Sequence, residues 1–172
     1  ADAGAVYMYM LDASGSWTQA QKLQASDGEN NARFGWSVAA SDGTVVVGVP
    51  CFTCTKGGSV SVFSCTAAGV CAETDVLRAA DEVPKDNFGN SVAISCNKIV
   101  VGASFYNRQG QNMGSVYAFS WHQARGWAQT SKIVPTNRAQ GDGFGHMVAI
   151  SSHTVAAVDS LESAYVKEVC DS

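Results

Sequence analysis

Short stretches of alternating and continuous hydrophobic residues run along the chain, separated by Gly, Ser, Asn and Asp. Residues 4–10, GAVYMYM, alternate as expected of a strand with one buried face. Residues 44–48, TVVVG, are apolar at consecutive positions, which is typical of a strand covered on both faces. The 17 Gly, the 3 Pro and the many Val, Ser and Ala also favour short strands and tight turns. The pattern therefore predicts an all-β chain.

Both kinds of stretch recur at nearly fixed spacing. GAVYMYM at residues 4–10 returns as GSVSVFS and then as GSVYAFS, with offsets of 54 and then 56 residues. The segment FGWSVAASDGTVVVGVP at residues 34–50 returns twice with the same offsets and without insertion or deletion. The later copies are FGNSVAISCNKIVVGAS at 88–104 and FGHMVAISSHTVAAVDS at 144–160. Repetition at this spacing predicts a repeat architecture.

The recurrence defines three units within a single domain at 1–172. Their approximate bounds are 4–57, 58–113 and 114–161. Constant offsets of the hydrophobic positions predict four short strands in each unit, a count that suits one blade of a propeller. We therefore expect an all-β, β-propeller-like array of about three four-stranded antiparallel blades, as a partial or open propeller.

Two-residue turns join the last two strands of each unit. Asp42-Gly43 is the favoured type I′ sequence, and Cys96-Asn97 and Ser152-His153 stand at the equivalent places. Residues 162–172 are predicted to form either the start of a further strand, which is preferred, or a terminal cap helix. Val158 replaces the glycine of the other units, as is typical of a terminal repeat.

Composition and charge exclude several classes of function. With 46% hydrophobic and 15% charged residues the chain is globular. Its net charge is −4 and it has no Lys/Arg-rich run, which argues against binding to nucleic acid or to an anionic membrane. No apolar run approaches the roughly 18 residues that span a bilayer. Because the chain starts at Ala1, we expect either a mature chain after removal of a targeting segment or a fragment of a longer protein.

The cysteines indicate the compartment. Six in a domain of this size, an even number, favour disulfides and therefore an extracellular or other oxidising lumenal compartment. Cys65 and Cys71 flank an Ala-Ala-Gly turn, and Cys71 stands where the other units have Trp. We predict a disulfide across this hairpin, with two buried free thiols or a metal site as alternatives.

The other cysteines leave more alternatives open. Cys51 and Cys54 form a CxxC pair in a loop, where we expect a local disulfide and little redox activity, because no helix follows that could lower a thiol pKa. Together with Cys65 and Cys71 they could instead bind zinc, although the spacing of the second pair does not match. The last two cysteines form either a long-range disulfide or two free thiols: Cys96 and Cys170.

Catalytic chemistry has little support in the sequence. Ser37 and Ser91 follow Phe-Gly at equivalent places, but the third unit has Met147 there, so we interpret these residues as small side chains on a packed strand. No nucleophile-elbow, zincin or P-loop motif occurs. The acidic residues of the second unit, Asp81, Glu82 and Asp86, are expected to form a solvated connection. We expect no catalytic residue, no metal and no cofactor.

The connection that leaves the TVVVG-type strand varies in length between units, as binding loops on a fixed scaffold do. It carries Phe52 in the first unit, and Phe105, Tyr106 and Arg108 in the second. Aromatic and Arg side chains are enriched at interface hot spots. These four residues are the candidate partner-binding residues; the alternative is that they pack back on the blades.

Linked Phe-Gly and Gly-Val-Pro motifs make the chain resemble the FG-GAP repeat family, which also supplies the propeller repeats of integrin alpha subunits. The resemblance implies a β-propeller array that binds or adheres in an extracellular or equivalent compartment. Integrin-type calcium loops would stand where this chain has two-residue turns, and Asp42 alone cannot supply about six oxygen ligands. The motif residues are Phe34-Gly35 with Gly48-Val49-Pro50, Phe88-Gly89 with Gly102-Ala103-Ser104, and Phe144-Gly145 without the second half.

The leading hypothesis is a non-enzymatic protein-binding or scaffold module that acts in adhesion or assembly. Three units are too few for a closed propeller of 4 to 8 blades, so a larger propeller, another subunit or a second copy would have to cover the open edges. The alternative is an accessory structural subunit that stabilises a larger complex, including a membrane-bound one, in a lumenal space. A hydrolase is the alternative of another class, and no catalytic constellation supports it.

Overall fold

The computed structural model describes residues 4–26, 33–52, 57–104, 107–108, 111–136, 141–159 and 164–168. These residues form strands, turns and extended connections, without a helix, and none of them provides a helix able to cross a membrane. The strands, in chain order, are β1 Val6–Leu11, β2 Trp17–Leu23, β3 Ser37–Ser41, β4 Thr44–Val49, β5 Ser59–Cys65, β6 Cys71–Leu77, β7 Phe88–Ser95, β8 Lys98–Ala103, β9 Asn107–Arg108, β10 Gln111–Asn112, β11 Ser115–His122, β12 Gly126–Ile133, β13 Met147–Ser151, β14 Thr154–Val158 and β15 Ala164–Glu168.

The strands pair into four successive antiparallel sheets and one small ribbon. Sheet I is β1-β2, sheet II is β3-β4-β5-β6, sheet III is β7-β8-β11-β12, and sheet IV is β13-β14-β15. The ribbon β9-β10 lies within the connection from β8 to β11. The prediction of an all-β, open array of propeller-like four-stranded antiparallel sheets is confirmed. Of the two alternatives for the chain end, a strand forms at 164–168.

The sheets are out of phase with the sequence units. Sheet II combines β3 and β4 from the first unit with β5 and β6 from the second, and sheet III is built in the same way from the second and third. The reason is that β5 follows β4 and pairs with it antiparallel, from Val49 opposite Ser59 to Thr44 opposite Ser64. Each of the two four-stranded sheets therefore contains strands from two successive units, whereas the sequence grouped the four strands of one unit.

Hydrophobic clusters fill the space between successive sheets. The TVVVG-type strand β4 is buried on both faces: Val45 and Val47 face sheet I, and Val46 faces sheet III. A third cluster joins sheets III and IV in the same way. Each cluster receives one phenylalanine of a Phe-Gly pair, and these rings are at most 3% exposed: Phe34, Phe88 and Phe144.

Glycines in one sheet let the Phe-Gly turn of the next sheet approach closely. A Cβ atom added to Gly102 in β8 would overlap the carbonyl oxygen of Gly145, and one added to Gly48 would overlap that of Gly89. Each of these carbonyls also accepts a hydrogen bond from a serine hydroxyl of the preceding sheet. The two bonds are Ser37 Oγ to Gly89 O and Ser91 Oγ to Gly145 O, both at 2.9 Å.

A disulfide closes the β5-β6 hairpin. Cys65 and Cys71 are directly opposite each other and are bonded, with an S–S distance of 2.08 Å. The equivalent position in sheet III holds the Trp121–Trp127 pair, whose ring centroids lie 5.8 Å apart. The disulfide thus stands in place of an aromatic cross-strand contact, and it leaves no thiolate here for zinc.

Gly102→Ala should destabilise the protein by about 2–3 kcal/mol, because its methyl group would push the Phe-Gly turn of sheet IV away from sheet III. Chemical denaturation monitored by circular dichroism measures the change. Val158→Ala is the matched control, since Val158 is the equivalent residue on the outer face of sheet IV. It should cost about 1 kcal/mol or less, and equal costs for the two variants would contradict the close-approach explanation.

Replacing both Cys65 and Cys71 by Ser should lower the free energy of unfolding by about 2 kcal/mol, because the bond closes a short loop in the unfolded chain. Urea titrations of the oxidised proteins provide the measurement. Cys96→Ser serves as the control, since Cys96 is an exposed free thiol in the part of the chain that the structure describes. A double variant as stable as Cys96→Ser would argue against a structural role for the disulfide.

Candidate functional site

The Phe-Gly turns and the variable loops lie at the same end of the sheets. Ser37, at the start of β3, pairs with Gly48, near the end of β4. The turn that precedes β3 is therefore next to the loop that follows β4. We call this end, made of residues 33–36, 50–52, 87–90 and 143–146, the rim.

One side of the rim carries a cluster of Arg33, Trp36 and Phe52, called the rim cluster below. The Trp36 and Phe52 rings meet edge to face, with centroids 5.4 Å apart. The guanidinium carbon of Arg33 lies 4.4 Å from the Phe52 centroid and 5.0 Å from the Trp36 centroid. Trp36 is nevertheless 50% exposed. The cluster combines a cation with two aromatic rings that hold one another in place.

The Phe-Gly turn brings the members of the rim cluster together. The Trp36 N–H donates to the Arg33 carbonyl at 3.1 Å, which closes a four-residue turn with Arg33 first and Trp36 last. Gly35, the third residue, has a φ of 89°, a conformation that favours glycine. Phe34 points inward and is buried. The same turn therefore anchors the core with one side chain and presents two others at the surface.

A row of hydrogen bonds connects the three Phe-Gly turns. The Trp36 indole Nε1–H donates to Asn90 Oδ1 at 3.2 Å, and Asn90 Nδ2 donates to the His146 carbonyl at 3.0 Å. Trp36, Asn90 and His146 are the residues that follow Phe-Gly in the three units. Sheets II, III and IV are thus linked along the rim, and the Trp36 indole contacts both Asn90 and Phe52.

A buried carboxyl group lies below the second Phe-Gly turn. Asp86 is fully buried and its Oδ1 accepts the Phe88 N–H at 3.0 Å. Its Oδ2 is buried and has no hydrogen-bond partner in the described part of the structure. Burial raises the pKa of Asp86 above its usual value of 3.8, and the nearby Glu82 charge acts in the same direction.

The acidic connection of the second unit is exposed at Asp81 and Glu82, as the sequence predicted, but buried at Asp86. Asp86 is buried, because it satisfies the backbone of the turn. Glu82 accepts the Gly57 N–H at 2.8 Å. Asp81 pairs with Lys132 of sheet III. Burial acts to raise the pKa of Asp81, but the hydrogen bonds from Lys132 and Tyr117 and the Lys132 charge together outweigh it, so that this pKa lies below its usual value. The loop joins neighbouring sheets.

Of the four predicted partner-binding residues, the structure places Phe52 in the rim cluster. Phe105 and Tyr106 lie outside the described residues. Arg108 lies in β9, and its side chain falls outside the described part. The sequence reasoning missed Arg33 and Trp36. The signal available was the residue after Phe-Gly, which is Trp, Asn or His in an otherwise regular motif, as expected of a side chain that leaves the core.

The remaining predicted site residues concern cysteines and metals. Cys51 is disulfide-bonded, and Cys54 lies outside the described residues. Cys96 is a free thiol, and Cys170 is also outside the described part. Among the described residues no three His, Cys, Asp or Glu side chains converge in a way that could hold a metal ion.

Comparison with known families identifies the repeats. The FG-GAP repeat model matches residues 17–63, 72–119 and 127–166, which together cover most of the chain. The chain belongs to the FG-GAP repeat family. FG-GAP repeats form β-propeller-type modules, are often used in protein interaction, are generally non-enzymatic and are typical of extracellular proteins. The resemblance seen in the sequence is confirmed by this match.

Other comparisons add little. Among solved structures, the chain is similar to the computationally designed Ika4 protein, at 11% identity over 83% of this chain and 95% of that chain. The TM-score is 0.36, and no structural or functional conclusion is based on this similarity. No curated protein sequence matches the chain significantly.

Asp86→Asn should make the FG-GAP domain more stable at pH 7, because it removes a buried charge and keeps the oxygen that accepts the Phe88 N–H. A carboxyl whose pKa is raised on folding contributes stability below its unfolded pKa and loses it as pH rises through the folded pKa. The gain over the wild type should therefore shrink as pH falls toward 3.8. Thermal unfolding across this pH range measures it.

Asp12→Asn is the control of opposite sign. Hydrogen bonds from the Ser14 hydroxyl and from the Ser16 and Ser14 backbone lower the pKa of Asp12. Its contribution is present at neutral pH and is lost as pH falls, so Asp12→Asn should be less stable than the wild type at pH 7. A destabilised Asp86→Asn at pH 7 would show that the Asp86 charge has a partner that compensates it.

Proposed function

We propose that the chain is a non-enzymatic protein-binding module that acts as a scaffold in adhesion or assembly, and that its partner contacts the rim cluster. The observation that carries this proposal is the exposed, prearranged group of Arg33, Trp36 and Phe52. Arg and Trp are the residues most enriched at hot spots of protein interfaces. Because their rings and guanidinium already contact one another, binding would cost less side-chain entropy than it costs free side chains.

The chemistry of the rim cluster suggests the kind of partner surface. The guanidinium of Arg33 lies over both rings, and its N–H groups can donate to a carboxylate or a backbone carbonyl of a partner. A protein loop with an acidic side chain next to an apolar one fits such a site. Phe105, Tyr106 and Arg108 are proposed to add to this surface, because their loop leaves β8 at the rim end, as the Phe52 loop leaves β4.

An extracellular or other oxidising lumenal compartment is proposed for this function. The Cys65–Cys71 disulfide and the disulfide-bonded Cys51 support it, since disulfides persist where thiols are not kept reduced. Nucleic acid is not proposed as a partner: the net charge is −4 and the sequence has no basic run.

A second candidate is an accessory structural subunit that stabilises a larger complex in a lumenal space, at the periphery of a membrane complex if the complex is membrane-bound. The observation in its favour is that the outer faces of sheets I and IV carry exposed hydrophobic side chains, including Trp17 and Val166. A hydrolase has no observation in its favour.

The rim proposal is tested by placing a photoreactive benzoylphenylalanine at position 36 and irradiating the protein in the extracellular or lumenal fraction of its source. We expect one discrete protein adduct. Its yield should fall about fivefold or more with Arg33→Ala, as for a hot-spot residue worth at least about 1 kcal/mol. Mass spectrometry identifies the adduct.

The same photoreactive residue at Val70 is the control. Val70 is 62% exposed in the β5-β6 turn, at the end of sheet II away from the rim. It should give no adduct with the same protein. Equal adducts at both positions, or a yield unaffected by Arg33→Ala, would contradict a partner site at the rim cluster.

A further inference from the structure

The first sheet exposes an aromatic face. In sheet I, the outward side carries Tyr7, Tyr9, Leu11 and Trp17, which are 52%, 51%, 55% and 69% exposed. Leu11 and Trp17 are directly opposite each other across the β1-β2 hairpin. We call these four residues the head face. The other face of the sheet, with Val6, is buried against sheet II.

The head face is equivalent to a face that is buried elsewhere in the array. Tyr117 and Phe119 of β11 occupy the positions that Tyr7 and Tyr9 occupy in β1, counted from the glycine that opens each strand. Both are buried, at 0% and 3% exposure, in the cluster between sheets II and III. Even the neighbouring lysine is kept: Lys132 lies over the Tyr117 ring as Lys22 lies over the Tyr7 ring. The head face is therefore built as an inter-sheet surface.

The last sheet exposes the complementary face. On the outer side of sheet IV, Ala149 pairs with Ala156, and Ala156 pairs with Val166, which is 70% exposed. Next to them, Met147 pairs with Val158 and is 56% exposed. In sheet II, Val46 and Val62 stand where Ala156 and Val166 stand here, and they are buried against sheet III. The outer side of sheet IV, called the tail face, consists of Met147, Ala149, Ala156, Val158 and Val166.

Two positions of the tail face differ from the equivalent positions of sheets II and III, and they limit what can cover this face. Gly48 and Gly102 receive the Phe-Gly carbonyl of the following sheet, and Ser37 and Ser91 donate to that carbonyl. Val158 and Met147 occupy the equivalent positions of sheet IV. Their side chains fill the space that a Phe-Gly turn needs and provide no hydroxyl donor. The tail face is therefore unsuited to another sheet that begins with Phe-Gly.

The tail face thus needs a covering sheet that has no Phe-Gly turn. Sheet I, which carries the head face, is such a sheet, since as described it consists of β1 and β2 without a Phe-Gly strand. The Tyr and Trp rings of a head face can contact the Ala and Val side chains of a tail face as aromatic residues do at the internal interfaces. The described residues of one copy form four propeller-like sheets, so two copies provide eight, which lies within the usual range for a closed propeller.

We propose that a second copy of this chain docks head to tail, with the head face of each copy on the tail face of the other. The contact is heterologous, because two different surfaces meet, and two such contacts close a ring. The proposal goes beyond the rim function and uses separate surfaces, so that either can fail alone.

The test uses two variants with a lysine on an exposed residue, Tyr9→Lys in the head face and Val166→Lys in the tail face. Sedimentation velocity of the wild type should show a particle of about twice the mass of the chain. Each variant alone should sediment as a monomer. The ring contains two head-to-tail contacts, and a variant altered in one face disrupts that face in both of them. An equimolar mixture should restore dimers, since one copy contributes an intact tail face and the other an intact head face.

Val70→Lys, an exposed residue outside both faces, is the control and should leave the dimer intact, as should Arg33→Ala at the rim. Circular dichroism and thermal melting establish that every variant is folded. A wild type that stays monomeric at roughly 100 μM, where an interface with a tighter dissociation constant would be largely occupied, overturns the proposal. Dimers formed by either single variant alone, or no dimers in the mixture, overturn it as well.

Discussion

Successive sheets of this FG-GAP domain depend on the close approach of a Phe-Gly turn to a glycine of the preceding sheet. In this contact the buried phenylalanine stabilises the packing of the two sheets more than the hydrogen bond does. Full burial of such a ring is worth about 1.5–3 kcal/mol, whereas one hydrogen bond contributes about 1 kcal/mol net. Glycine and serine have a different role. Gly102 leaves room for the Gly145 carbonyl and Ser91 donates to it, so that they determine where the ring enters and how the sheets are aligned.

This division of roles explains why the structural and the candidate binding residues lie on the same four-residue turn. Phe34 points into the cluster between sheets I and II, while Arg33 and Trp36, on either side of the Phe-Gly pair, remain at the surface. A surface group supported by a buried anchor needs little additional ordering on binding. Variation at the residue after Phe-Gly, from Trp36 to Asn90 to His146, changes the rim without disturbing the core.

Much of the fold followed from the sequence because its signals are local. The alternation in β1, the Asp42-Gly43 turn and the cross-hairpin Cys65–Cys71 pair each depend on residues close in the chain. The grouping of strands from two successive units into one sheet did not follow, since β4 pairs with β5 across the variable loop between them. The contact of Arg33 with Phe52 was also missed, because it joins two segments that no spacing rule relates. The burial of Asp86 was missed because an acidic residue in a polar connection is ordinarily exposed.

The offset between sequence units and sheets has a mechanical consequence. Because each four-stranded sheet is shared by two successive units, the border between two units falls between paired strands of one sheet. Pulling one unit away from the next along the chain would have to break the backbone ladder between β4 and β5, or between β8 and β11, in addition to the apolar contacts between sheets. A chain built in this way resists separation under tension at the places where its sequence repeats begin.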